Sequence, residues 1–263
     1  MLKPFADGHS LLEFQLIRLK KAFPLSPIVV ATTTSSADNE IEDIAIKHEI
    51  LYYRGDEQDV LGRFVNCCRH FQFTDYIVRI CGDNPFLQLE FLATLMREAA
   101  NSDEADYIGY AINHTPAIRT HFGFFAELVK VSALERADDL VKNPLYREHV
   151  TNYIYTQSEE NHNFILRWLS IDSLTPYTNS IRLTIDTVAD FENAVSVYLG
   201  IKGAAGPSGR GKRAFEEADA GNEGGQDRND SGEEISWKSV IAFVDSHPGT
   251  KANMEEQIRL HQK

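Results

Sequence analysis

Between residues 26 and 110, short apolar runs rich in β-branched residues alternate with stretches of helical periodicity, which restricts the chain to an α/β fold. "SPIVVATTT" (26–34), "ILYYR" (50–54), "DYIVRI" (75–80) and "ADYIGY" (105–110) read as strands. "NEIEDIAIKHE" (39–49), "DVLGRFVNCCRHFQ" (59–72) and "LEFLATLMREAA" (89–100) read as the helices between them. At this βαβ spacing the sheet is expected to be mostly parallel, with helices on both faces. A helix also precedes the first strand, because Ser10 and Glu13 form a capping box ahead of an apolar face.

The second half is less regular. "FGFFAELVKVS" (122–132) reads as an extended strand and Leu134–Leu140 as a helix. "LYREHVTNYIYTQ" (145–157) reads as a helix, while "FILRWLS" (164–170) and "IRLTID" (181–186) return to strand. "VADFENAVSVYLG" (188–200) is an amphipathic helix expected to end at Gly200. Residues 202–234 are rich in Gly and charge and almost empty of large apolar side chains, so they cannot offset their ordering entropy. Three units result: an α/β domain over 1–200, a disordered linker over 201–234, and a helical segment over 235–263 that docks back on the domain. The docking face is expected to be Trp237, Val240, Ile241 and Val244.

A formal charge of −13 and a pI near 5.1 argue against nucleic acid and anionic lipid as partners. No stretch approaches the ~20 apolar residues of a membrane helix, and "MLKPFADGHS" lacks the apolar core of a signal peptide. Cys67, Cys68 and Cys81 suit neither a disulfide framework nor a zinc site and read as small buried hydrophobes. A reducing cytoplasm is the expected compartment.

Ligands of open α/β sheets bind outside the carboxyl ends of the strands. Three of the expected strands end in polar residues, in "VVATTT", "VRICGDNP" and "LTIDT", and the last two close on Asp83 and Asp186. Two carboxylates at one sheet edge repel unless a cation lies between them, and hard oxygen ligands favour Mg²⁺. The competing reading is that each Asp caps the helix that follows it. Spacing alone favours the caps.

Five blocks occur in order: "IVVATTTSSADNEIEDIA", "YYRGDEQDVLGRF", "DYIVRICGDNPFL", "YREHVTNYIY" and "RLTIDTVADFENA". Together they resemble the sugar cytidylyltransferases, especially the spore-coat polysaccharide biosynthesis branch, with CMP-sialate and CMP-Kdo synthetases as more distant relatives. The resemblance runs from Leu2 to about Tyr198 and resumes at Trp237. It implies a Rossmann-like nucleotidyltransferase fold that takes CTP and a sugar, with Mg²⁺ held by Asp83 and Asp186. Both aspartates then count as catalytic. Beside the resemblance, Thr32 and Thr33 read as lining the base pocket, Arg79 as contacting phosphate or an Asp, and Gly82 as a nucleotide-side position. The resemblance itself implies sugar-side contacts from Glu127, Glu148 and His149. Ordinary strand-end polarity competes for Thr32 and Thr33, and a structural role competes for His149. Arg79 lies in an apolar strand, where a buried guanidinium demands partners. Gly82 is expected to let the backbone turn beside the ligand. Arg54 and Arg63 are expected to brace their loop by pairing with Asp59 or neighbouring carboxylates. The sugar itself has no local code in the chain, and a homodimer is left open.

One departure from the resembled family is large. Its members begin with a strand and a loop carrying two Arg and one Lys that cradle the triphosphate, just ahead of the stretch matched here by "MLKP". In the family that strand lies between those matched here by "PIVVAT" and "DYIVRI". Two readings follow: an enzyme completed by an upstream segment, or an inactive remnant serving as a binding or assembly subunit. Residues 1–263 alone are expected to be inactive and to aggregate through exposed strand edges. A glycosyltransferase is the third reading, and it lacks the Asp-x-Asp motif at a strand end that it would need.

Overall fold

The computed structural model describes residues 1–101, 104–161, 164–204 and 234–261. A short hairpin, β1 (Pro4–Ala6) and β2 (His9–Ser10), leads into α1 (Leu11–Ala22). The Ser10 hydroxyl accepts from Glu13 N and the Glu13 carboxylate accepts from Ser10 N, so the expected capping box is present. The alternation then follows in order: β3 (Val29–Thr33), α2 (Asn39–Lys47), β4 (Leu51–Gly55), α3 (Val60–Phe71), β5 (Tyr76–Arg79), α4 (Leu89–Ala100) and β6 (Tyr107–Ile112). Beyond it come β7 (Thr115–Pro116), β8 (Glu127–Lys130), α5 (Val131–Leu140), α6 (Pro144–Glu148), α7 (Asn152–Asn161) and β9 (Leu166–Ser170). The chain closes with α8 (Val188–Ala204), α9 (Trp237–Ser246) and α10 (Pro248–Leu260).

Side-chain alternation sorts the sheet into two cores. Ile108, Tyr110 and Ile112 of β6 and Leu128 of β8 pack with α1, α4, α8, α9 and α10. Tyr107 and Val129, their neighbours in sequence, point the other way into a core built by α3, α5 and α7. A period of two thus puts helices on both faces, as expected. Among the described residues no helix is long and apolar enough to cross a membrane.

The parallel character is only partial. Parallel pairing joins β3 to β4 and β6 to β9, whereas β5–β8, β6–β8 and β6–β7 are antiparallel. No α-helix crosses over between β6 and β8, and without a crossover the returning strand must run antiparallel.

Four other expectations are corrected. Of residues 122–132, only Glu127–Lys130 is strand. The helix expected over 145–157 breaks after Glu148, with Val150 at φ 32°, and the break turns both Val150 and Thr151 into the interior. Residues 181–186 form no strand: Leu183 N donates to His121 O, and Ile185 N donates to Asp83 O. Their backbone partners lie on two different loops, so no ladder forms. Finally, α8 runs through Gly200 to Ala204, and position 200 is small because a side chain there would meet the Phe243 ring of α9 at 2.0 Å. Gly200 is a helix-contact glycine and not a C-terminal stop.

The docked C-terminal helix is as expected. Val240, Ile241 and Val244 are buried, Trp237 packs beside them, and Trp237 N donates to Gln88 Oε1 at 2.7 Å. The rest of the expected linker, residues 205–233, lies outside the described residues.

Candidate active site

After β5 the chain makes the turn Ile80–Gln88, and α1 holds it. Gln15 and Arg18 share one face of α1, being three residues apart. Gln15 Nε2 donates to Cys81 O at 3.0 Å and Asn84 O at 2.9 Å, while Arg18 donates to Pro85 O and Leu87 O. Four carbonyls of the turn are thus pinned by two side chains, and Asp83 is presented from a fixed backbone. Gly82 does not have a left-handed φ; its missing side chain leaves room for the end of Met1. The left-handed glycine near this turn is Gly123, in the loop ahead of β8, at φ 64°, where a Cβ would approach Leu183 O at 3.2 Å.

Asp186 reaches the same place from the other half of the chain. The 3.0 Å bond from Ile185 N to Asp83 O lays the two aspartate-bearing segments side by side. Neither Asp is used as a helix cap. At the start of α8, Thr187 Oγ1 accepts from Asp190 N and Asp190 accepts from Thr187 N, a complete capping box without Asp186. Asp83 precedes Gln88, the residue before α4, by one whole turn of chain. The capping alternative therefore falls away for both.

Behind Asp186 lies a buried cluster that the sequence reading missed. The Arg182 guanidinium, wholly buried, donates to both oxygens of the equally buried Asp190 at 2.7 and 3.0 Å, to Asp186 Oδ2 at 2.7 Å and to His121 Nδ1 at 2.8 Å. Burial alone would raise the Asp190 carboxyl, but Arg182 and Thr187 outweigh it and hold the pKa below the ordinary carboxylate range. In sequence the signal was an Arg inside an apolar run, with an acidic residue eight positions later.

The donor set fits a hard divalent cation. Asp83 and Asp186 offer only oxygen, and two buried oxygens next to these segments, Asn84 Oδ1 and Thr184 Oγ1, have no hydrogen-bond partner. No group of three or more His, Cys, Asp or Glu side chains suited to a metal occurs among the described residues. A two-carboxylate site is the usual arrangement for Mg²⁺, which takes its other ligands from water and phosphate.

The other expected residues are distributed along the same sheet edge. The Thr32 and Thr33 hydroxyls both donate to Asp38 Oδ2, at 2.7 and 2.6 Å, which shapes the end of β3. Arg54 braces that end by donating to Thr33 O, Ser35 O and Glu42, not to Asp59. Asp59 instead takes both arms of Arg147, at 2.8 and 2.6 Å, while Arg63 donates to Asp56 O. Arg147 lies within the "YREHV" block but was not singled out from sequence. Arg79 faces Glu127 across the β5–β8 register, and the 1% exposed Glu127 accepts from Arg79 at 2.5 Å, Tyr107 at 2.8 Å and Thr151 at 2.7 Å. Burial and the Glu127 charge push the Tyr107 phenol well above its ordinary pKa, so it stays a donor. Glu148 and His149 are exposed at the end of α6, tethered near Glu127 through Thr151.

Between β3 and β5 the sheet is interrupted. No backbone pairing joins the two strands, and a cleft of about 710 Å³ separates them. Its walls are apolar, including Val29, Val30, Ile77, Val78, Phe64 and Leu92, and they become polar at Thr32, Gly82 and Asp83. None of the described residues lining it is Lys or Arg. Burial pushes the thiols of Cys67 and Cys68, on its wall, up to about 12 and about 11, so both are inert at neutral pH.

This architecture is that of a nucleotidyltransferase. The structure of a cytidylyltransferase from Leptospira borgpetersenii serovar Hardjo-bovis superposes with a TM-score of 0.71 at 23% identity, covering 95% of this chain and 88% of the other. A CMP-2-keto-3-deoxy-manno-octonic acid synthetase solved with CTP superposes with a TM-score of 0.54 at 12% identity, over 76% and 91% of the two chains. In sequence, the cytidylyltransferase family pattern matches residues 2–218. An uncharacterized protein of Methanocaldococcus jannaschii is 36% identical over 182 residues, 69% of this chain and 70% of that one. The spore coat polysaccharide biosynthesis protein SpsF of Bacillus subtilis is 30% identical over 172 residues, 65% of this chain and 66% of its own length. The chain belongs to the cytidylyltransferase family.

Proposed function

We propose that this protein transfers CMP from CTP to a sugar, of the kind used in surface polysaccharide synthesis, with release of pyrophosphate. The observation that carries the reading is the Ile185 N to Asp83 O bond, which lays two cap-free aspartates side by side at the sheet edge. Family membership and the likeness to SpsF support the substrate class. Asp83 and Asp186 would hold Mg²⁺, and that ion supplies charge neutralisation at the triphosphate worth several kcal/mol. Gln15 and Arg18 keep the Asp83 loop fixed, so the site needs little reorganisation when substrate binds. Thr32, Thr33 and Gly82 border the nucleotide side of the cleft. Arg79 is held in its pair with Glu127. Glu148 and His149, with Glu127 beneath them, form the sugar side. The sugar oxygen attacks the α-phosphorus and the pyrophosphate leaves in line, a transfer governed by positioning and charge more than by a protein nucleophile.

The test is Asp83→Asn in a protein that carries a phosphate-binding loop. Pyrophosphate release with CTP, Mg²⁺ and a panel of sugar acids should fall about a thousandfold or more with the fold intact. Near-normal turnover would refute the role. A second reading is favoured by the absence of Lys and Arg among the described residues lining the cleft: the protein acts as a non-catalytic binding subunit. Pyrophosphate release by a form with a strand-and-loop segment joined ahead of Met1 separates the two, because only the enzymatic reading expects turnover to appear there.

A further inference from the structure

We propose that Arg182 is the positioning residue that sets the Asp186 carboxylate for a divalent cation. The inference rests on the cation reading of Asp83 and Asp186. A buried guanidinium is costly unless every arm is paired, and truncating one partner of such a pair leaves an uncompensated charge. Here the arms are divided. Nε and Nη2 grip Asp190, Nη1 meets His121 Nδ1, and Nη2 also reaches Asp186 Oδ2 at 2.7 Å. Neutralising Asp190 would need only the first two contacts. The extra contact is directed at Asp186, whose side chain is 39% exposed.

Arg182 and Asp190 neutralise one another within the buried layer, so the contact to Asp186 Oδ2 is an addition to that pair. Because a guanidinium is always protonated, His121 Nδ1 must accept, which places its proton on Nε2 and keeps the ring neutral. Asp190 is itself locked by the backbone N–H groups of Asp186 and Thr187. The orientation of Asp186 is therefore referred back to the first turn of α8. A lysine could replace the charge but not the fork.

The test uses the full chain and Mn²⁺ as the probe, with free Mn²⁺ read by electron paramagnetic resonance and thermal unfolding recorded without metal. Asp186→Asn should abolish binding. Arg182→Lys should weaken it about 10–100-fold, as expected for a residue that orients a ligand, while still unfolding cooperatively. If Arg182→Lys binds like the unaltered protein while Asp186→Asn does not, the positioning role is overturned and the cation site stands. If the unaltered protein fails to bind, or Asp186→Asn binds normally, both fall. Should Arg182→Lys not fold, the ¹⁵N guanidinium signals of Arg182 in the unaltered protein decide. They should shift on Mg²⁺ addition and saturate with the binding curve, and signals that stay still overturn the proposal.

Discussion

The Glu13 carboxylate accepts from Ser10 N and Ser10 Oγ through one oxygen, and meets Lys47 Nζ at 2.7 Å and His48 Nε2 at 3.1 Å through the other. Lys47 first, then the Ser10 N–H and His48, pull its pKa far below the ordinary 4.5. A depressed folded-state pKa contributes stability that is fully present above the unfolded value and is lost as pH falls through the folded one. Thermal stability should therefore fall below about pH 4.5, and Glu13→Gln, which can keep the box, should flatten that acid limb while lowering stability at neutral pH by up to about 1 kcal/mol through loss of the ion pair with Lys47. Unfolding midpoints across pH 2 to 8 for the two proteins check this; parallel curves would contradict it. The box itself is local, four residues long, and readable in sequence, but its ties to Lys47 and His48 are not. Arg182 is the harder case. An Arg in an apolar run announces that it needs partners, yet Asp190, Asp186 and His121 converge on it only because the chain between 181 and 186 leaves the sheet.

At the scale of elements, amphipathic helices and apolar strands from 26 to 112 follow their periodicity closely, because each buries a face that its own residues define. The failures share one cause. Residues 181–186 alternate like a strand, but their N–H groups go to His121 and Asp83, on separate loops. Gly200 resembles a helix stop, but it is an interior position of α8 kept small for Phe243 of α9. Gly200→Ala should lower the unfolding temperature, because overpacking costs about 1–3 kcal/mol against about 0.5–1 gained in helix propensity. In a Phe243→Ala background the sign should reverse, with Gly200→Ala stabilising by about 0.5–1 kcal/mol. If the substitution stabilises both backgrounds equally, the two helices do not meet there.

Across the whole molecule, the interruption between β3 and β5 dominates. Both strands present an edge to one apolar cleft, and their residues there are half-buried apart from the buried Thr32. Unpaired edges of this kind are templates for pairing with another strand. We propose that the cleft seats a further apolar strand. Residues 1–263 alone should then aggregate at modest concentration and bind a hydrophobic dye. A form with a strand-forming segment joined ahead of Met1, whose side chain lines the cleft, should melt higher and bind less dye. Equal melting and equal dye binding in the two forms would show that the cleft is no strand seat.

The chain's sequence alone determined the fold class, the order of the eight helices and strands from α1 to β6, the docked C-terminal helix face and the two aspartates worth asking about. Each of these depends on local periodicity or on a short motif, so the necessary information lies within one helix or strand. Whether Asp83 and Asp186 come together was not decidable there, since an Asp after a strand is equally a helix cap. The tertiary structure brings their segments together by joining Ile185 to Asp83, and it gives the box at the start of α8 to Thr187 and Asp190. It also decided strand direction, where the missing crossover turned β8 antiparallel, and the partners of Arg54, Arg147 and Arg182. The reason is physical: hydrogen bonds and ion pairs act between atoms brought within about 3 Å, and only the folded chain sets which residues, far apart in sequence, come that close.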